Sequence, residues 1–453
     1  MSISTRFSPS RVTRPASAGA ELQSSRAGEP RGKLEPIVNG LCFPTSLTFD
    51  PGGIPYVAEA GLPFVGAPYG GRIWRLGLDG RHTLLAEGLR PPVNGLTFHQ
   101  GSLYVSEGGH PGRISRLELN GKRTVLLDNL PGPGNYHTNM VAFGPDGKLY
   151  FSQGAMTNTG IVGLDAYELG WLRRLPHAHD VPGYDVVLAG VEVDTINPLD
   201  NQAGARAKTG AFVPFATRGR PGQRIPARLP CTAAIMRCDP DGGNLELVAW
   251  GLRNAYGLGF LLDGRLIAVD QGADDRGSRP VGNVPDLLFE VRPGAWYGWP
   301  DYIGADPISH SQYTPQRGPP PRFVLANHAE LPPPERPLLR FPAHAAAVKF
   351  DVAPCSSDTW PGHMFVALFG DERPMTAPPG PRVGRAVARI DPTDWTVHPV
   401  AAAPLARPID VRFHPRDGSL HILDFGNFEM DQHGVLAEAH SGRLWRLRPG
   451  EMR

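Results

Sequence analysis

GLGFLLDGRLIAVDQGA, residues 257–273, decides the fold. An apolar strand leads into a Leu-Asp-Gly turn, a second apolar strand ends on an acid, and a glycine-bearing loop follows. LLFEVRPG (287–294) then supplies a third strand. Alternating runs of this length read as half-buried strands, and Asp-Gly turns suit tight hairpins. The same unit recurs outward in both directions. SLTFDPGGIPYVAEAG (46–61) is followed by GGRIWRLGLDG (70–80), and GLTFHQGSLYVSEGG (95–109) by GRISRLELNG (112–121). MVAFGPDGKLYFSQGA (140–155) is a third copy. A weaker one runs through AVKFDVAP (347–354), HMFVALFG (363–370) and AVARIDP (386–392), and DVRFHPRDGSLHILDFGN (410–427) with GRLWRLRPG (442–450) closes the series.

Six copies of a sheet that cannot bury both of its faces alone imply radial packing, in which each sheet covers its neighbour and closure protects the edges. The expected fold is all-β: a six-bladed β-propeller with long inter-strand insertions, spanning residues 37–453. Two stretches break the period, 160–230 and the proline-rich 301–340. Loops of that length in a compact domain commonly carry function. Residues 1–36, rich in Ser, Arg, Ala and Pro, read as a disordered tail.

Composition supports a turn-rich globular chain, because 55 glycines and 49 prolines accompany 41% hydrophobic residues. With 45 basic and 44 acidic residues, no global field steers a polyanion or an acidic membrane, so no nucleic acid or membrane partner is expected. No apolar run reaches the roughly 18–20 residues of a membrane-spanning helix. The tail lacks the apolar core of a secretory signal, and a cytoplasmic location is expected. Cys42, Cys231, Cys238 and Cys355 are too scattered for a zinc ribbon and leave room for one bridge.

A propeller gathers one loop per blade around its axis, so residues remote in sequence can converge there. His137, just before the third copy, has the side chain best suited to general-base work near neutral pH. Arg253 and Asn254 precede the fourth copy, and a guanidinium beside an amide suits a carboxylate or quinone oxygen. The loop after that copy offers Asp274, Asp275 and Asp286 among glycines, the oxygen-rich composition a hard cation such as Ca²⁺ prefers. Glu59, Glu107, Arg407 and Asp410 complete the set. Trp296, Tyr297 and Trp299 could stack on a flat ligand or serve the core.

Taken together, GLRNAYGLGFLLDGRL (251–266), VDQGADDRGSRPVGN (269–283) and PDLLFEVRPGAWYGWP (285–300) resemble the central signature of the glucose/sorbosone dehydrogenase family. The likeness extends to HTNMVAFGPDGKLYFSQGA (137–155), FPAHAAAVKF (341–350), PGHMFVALFG (361–370) and RPIDVRFHPRDGSLHILD (407–424), covering about residues 40–448. It implies a soluble quinoprotein carrying pyrroloquinoline quinone (PQQ) and Ca²⁺, a small-molecule sugar or alcohol substrate, and an external electron acceptor. By this resemblance His137 is the base. Arg253, Asn254, Asn94 and Arg407 hold the cofactor, and the main-chain carbonyls of Gly272 and Ala273, with Asp274 and Asp286, form the metal loop.

The chain departs from the family pattern at Val93, Leu287 and Ile409, where glutamine, glutamate and arginine are usual. Tyr256 replaces a polar residue, and Phe369–Arg373 lacks a lysine. Two other functions remain open on these residues. One is a metal-dependent lactonase whose axial ion is held by Glu59, Glu107 and aspartates. The other is a non-catalytic ligand-binding propeller.

Overall fold

The computed structural model describes residues 33–77, 81–357, 359–372, 381–401, 403–431 and 434–449. The tail assigned to residues 1–36 thus lies outside the described residues as far as residue 32. A strand, Glu35–Leu41, begins at its end.

Six sheets form the blades, each with four antiparallel strands; in blade 3 a fifth short strand, Ala295–Trp296, adds in parallel to Glu246–Trp250. Their inner strands are Pro44–Phe49, Val93–His99, Thr138–Phe143, Ala255–Phe260, Ala347–Val352 and Pro408–Phe413. Each touches the next in chain order, and the last touches the first, so the ring is closed. Blade 6 takes its outer strand from the other end of the chain: Glu35–Leu41 pairs antiparallel with Gly442–Leu447, Val38 facing Leu444. Closing the ring with both termini leaves no blade edge at the seam.

Second strands are the most deeply buried elements. Pro55–Glu59, Leu266–Asp270 and Leu420–Asp424 are buried at every position, because neighbouring blades cover both of their faces. That is why YVAE, LIAVD and LHILD read as apolar runs and not as clean alternations. Outer strands such as His82–Leu89 meet water and carry mostly exposed residues. The core is therefore a set of wedges between blades; Tyr56, Ile73, Val93, Leu96 and Val105, for example, join blades 1 and 2. Turn chemistry is equally specific. Gly53 adopts φ +83°, and a Cβ there would lie 2.4 Å from the His414 ring of blade 6.

The 160–230 insertion falls inside blade 3, between Leu149–Gln153 and Ala234–Cys238, and not between two blades. It carries short helices Leu164–Glu168 and Trp171–Arg174 and a hairpin, Glu192–Ile196 with Arg206–Gly210. The 301–340 insertion sits in blade 4 and packs on the first one, with Ala326 N donating to Val187 O at 2.7 Å. A third excursion, absent from the sequence reading, is the hairpin Phe428–Asp431 with Gly434–Ala437 between the second and third strands of blade 6. All four cysteines are free thiols. Among the described residues no helix is long and apolar enough to cross a membrane.

Candidate functional site

The loops before inner strands and those after second strands share one face, because the two strands are antiparallel neighbours. A repeated clamp organises that face. The acid ending a second strand accepts hydrogen bonds from the backbone leading into its own blade's strands. Asp270 accepts from Arg253 N (3.2 Å) and Asn254 N (2.7 Å), and Asp424 from Ala406 N and Arg407 N (both 2.8 Å). Glu107 accepts from Arg90 N (2.7 Å) and Ser115 Oγ (2.7 Å), and Glu59 accepts from Cys42 N (2.6 Å).

Glu59 and Glu107, the carboxylates of the lactonase reading, are thus both buried and committed to local backbone or hydroxyl donors. Among the described residues no group of three or more His, Cys, Asp or Glu side chains converges as a metal site. Glu107→Ala would leave the buried Ser115 hydroxyl and the part-buried Arg90 N–H without their acceptor. It is expected to lower unfolding free energy by about 2–3 kcal/mol in urea denaturation, with no dependence on added metal.

Arg253 lies at the centre of the cluster in blade 4, its side chain nearly buried. Nη1 donates to Gln271 O (3.1 Å) and to Gly272 O, and Nη2 to Asn158 Oδ1 (2.9 Å) and Asp274 Oδ2 (2.8 Å). The guanidinium sits 4.1 Å from the Tyr136 ring centre, and the Tyr136 hydroxyl donates to Asp274 at 3.1 Å. Nε is buried without a hydrogen-bond partner. Gly272 N donates to Asp286 Oδ1 (2.9 Å), and Asp286 Oδ2 accepts Ala347 N (2.7 Å), which ties the loop to blade 5. Burial pushes Asp286 up to about 6 and Asp270 to about 7. Ala273 is buried beside them, and Asp275 turns outward to accept Gln316 N at 2.9 Å.

His137 stands next to Tyr136 and is partly exposed, yet its Nδ1 is buried with no partner. Burial alone holds its pKa down at about 4, so the ring is neutral at pH 7. Two glycines crowd it. A Cβ on Gly108 would lie 2.6 Å from His137 Cβ, and one on Gly154 would lie 2.5 Å from Tyr136 Cβ. From there a row of amides crosses three blades. Asn94 Nδ2 donates to Thr138 O and Asn139 Oδ1 (both 3.3 Å), Asn139 Nδ2 to Asn254 Oδ1 (2.8 Å), and Asn254 Nδ2 to Gln271 Oε1 (2.7 Å).

Arg407 belongs to a separate cluster at blades 5 and 6. Every guanidinium nitrogen is engaged: Nε with Phe428 O (2.9 Å), Nη1 with Gly370 O and Asp371 O (3.0 Å each), and Nη2 with Glu429 Oε2 (2.9 Å) and Glu372 Oε1 (3.3 Å). Burial lifts Glu372 to about 7. A cavity of about 330 Å³ opens beside this cluster, lined by Arg385, Arg407, Asn427, Phe428 and Glu429 among others. The lysine-free stretch Phe369–Arg373 contributes carbonyls here; Arg373 itself lies outside the described residues.

Sequence reasoning missed Lys349, fully buried on the propeller axis. Its Nζ donates to Thr45 O (2.6 Å) and Asn94 O, lies 3.9 Å from Asp410 Oδ2 and faces the Tyr256 ring at 5.3 Å. One amine from blade 5 therefore meets blades 1, 2, 4 and 6. The signal was a lysine inside the otherwise apolar AVKFDV. Trp296 and Trp299 are core residues, stacked with Trp250 and edge-on to Phe212 respectively.

No family model and no curated protein sequence matches the chain. Its architecture is that of the six-bladed propellers, and solved structures share it. An oxidoreductase (glucose dehydrogenase) from Thermus thermophilus is 19% identical, covers 92% of this chain and 99% of its own, and superposes with a TM-score of 0.53. The PQQ-bound aldose sugar dehydrogenase of Streptomyces coelicolor is 18% identical over 93% and 99%, with a TM-score of 0.54. The PQQ domain of pyranose dehydrogenase from Coprinopsis cinerea, in its holo form, is 14% identical over 94% and 99%, with a TM-score of 0.54. At these identities the likeness is one of fold.

Proposed function

We propose that the chain is a PQQ-dependent oxidoreductase that oxidises the hydroxyl of a sugar or related alcohol, with His137 as general base. The observation carrying this reading is the His137 imidazole, neutral, partly exposed and with an unpartnered buried nitrogen on the face where the loops converge. Buried polar atoms are nearly always hydrogen-bonded, so the orphaned His137 Nδ1 and Arg253 Nε mark a place for a ligand's polar groups. Of the two, the Arg253 Nε–H fits the oxygen-bearing edge of a quinone, and the His137 ring the substrate hydroxyl. The PQQ-bound and holo neighbours support the same cofactor.

PQQ, when bound, supplies an electrophilic quinone carbon that accepts a hydride. His137 takes the substrate hydroxyl proton on the ring nitrogen carrying the lone pair, and Arg253 Nε–H and the Asn254 amide orient ligand oxygens. An external acceptor would be needed to take the electrons from the reduced cofactor. Calcium has no part in this reading, because Arg253 already occupies the Gly272 carbonyl and Asp274.

A second reading, a propeller that binds a ligand without redox chemistry, is favoured by Arg407, whose donors all meet protein. Mixing purified protein with PQQ and following dye reduction across a panel of aldoses separates the two. Sugar-dependent reduction supports the oxidoreductase; a ligand-induced melting shift without reduction supports the binding protein.

A further inference from the structure

Four oxygens converge between the loop that follows Leu149–Gln153 in blade 3 and the acidic loop of blade 4: Gln271 O, Gly272 O, Asn158 Oδ1 and Asp274 Oδ2. Such a shell has the chemistry of a hard-cation site. A cation is already there. The Arg253 guanidinium spans all four oxygens with its two terminal nitrogens and lies 4.1 Å over the Tyr136 ring centre. Arg276 Nε lies 3.6 Å from the same Asp274 carboxylate, so one acid already faces two positive charges. Asp270 and Asp286 add no ligands, since their carboxylate oxygens accept backbone N–H groups.

Asn158 fixes the arrangement from the far side. Its Oδ1 also accepts Asp274 N at 3.0 Å, and its Nδ2 donates to Asp274 O at 2.9 Å, so the side chain that accepts from the guanidinium also pins the loop backbone around it. We infer that Arg253 is the resident cation of this loop and that the Gly272–Asp274 cradle is a metal-free site, closed to calcium. A planar fork matches several oxygens in fixed directions and cannot be removed by a chelator, so the loop keeps its shape at any calcium concentration. The inference concerns the loop alone and stands whether or not PQQ binds.

The test uses the full chain without PQQ. Thermal unfolding and calorimetric titration are run in EGTA and in millimolar CaCl₂. The wild type is expected to show no melting shift and no binding heat. Arg253→Met, which keeps bulk but removes the charge, is expected to melt lower in EGTA and to regain part of the loss in calcium. A wild-type calcium response that Asp274→Asn abolishes would overturn the inference; one that Asp274→Asn retains belongs elsewhere on the surface and leaves the loop metal-free. Should Arg253→Met fold yet ignore calcium, the loop is no cation cradle and the inference falls. Failure of Arg253→Met to fold leaves the wild-type titration to decide.

Discussion

Replacing His137 with alanine is expected to lower turnover by about 10²–10⁴-fold, the usual contribution of a positioned general base, while PQQ affinity changes little. Alanine removes the imidazole but keeps the amide row and Arg253. The pH profile gives a sharper signature. A base works when deprotonated, and burial holds the His137 pKa at about 4, below the ordinary 6.5. Activity should therefore persist through pH 6 and fall only as pH drops through about 4. An acid limb near 6.5 would mean a solvated ring and a different site geometry. Full activity in His137→Ala would remove this residue from the mechanism.

Asp410→Ala should be the most damaging change for stability. The carboxylate is buried on the axis, where Oδ2 accepts Leu47 N (2.9 Å) and Ser46 Oγ (3.2 Å) and Oδ1 lies 3.3 Å from Arg412. Its loss leaves Lys349 and Arg412 without their shared counter-charge, and breaking a buried pair from one side costs about 3–5 kcal/mol. Urea unfolding measures it; a loss below about 1 kcal/mol would show that the axis is hydrated. Lys349→Met removes charge without stranding a second cation at the same place and should cost less.

Lys349 also sets a pH dependence. Burial lowers its pKa from 10.5 to about 7, so between those values the unfolded chain binds a proton that the folded chain does not. Stability conferred by the wild-type lysine relative to Lys349→Met should therefore rise with pH across that window and be least below 7.

The blades were legible because each repeat carries its own evidence: two short apolar runs, a turn residue between them, and a loop. The closure of blade 6 was not, since EPIVNGL (35–41) finds its partner at the opposite end of the chain and has no turn to announce it. Insertion boundaries were visible as a break in period, but not their place inside blades 3 and 4, because the third strand of blade 3 lacks the usual Arg-aromatic pattern.

At the site, the sequence singled out His137, Arg253 and Asn254, yet it could not say where their hydrogen bonds go. One terminal nitrogen of Arg253 donates to Asn158, 95 positions away, and Arg407 meets Glu429 from a hairpin not foreseen. Glu59 and Glu107 show the same limit. An acid at a strand end reads identically whether it faces the axis or folds back onto its own backbone.

On this proposal the face around His137 and Asn254 takes PQQ and works on a sugar hydroxyl. Titrating the purified protein with PQQ while recording the cofactor's absorbance, then adding aldoses, tests it most directly. A saturable spectral shift at one PQQ per chain and bleaching of the quinone band on sugar addition are expected, in EGTA as in calcium. A spectrum that never departs from free PQQ, under either condition, would contradict it.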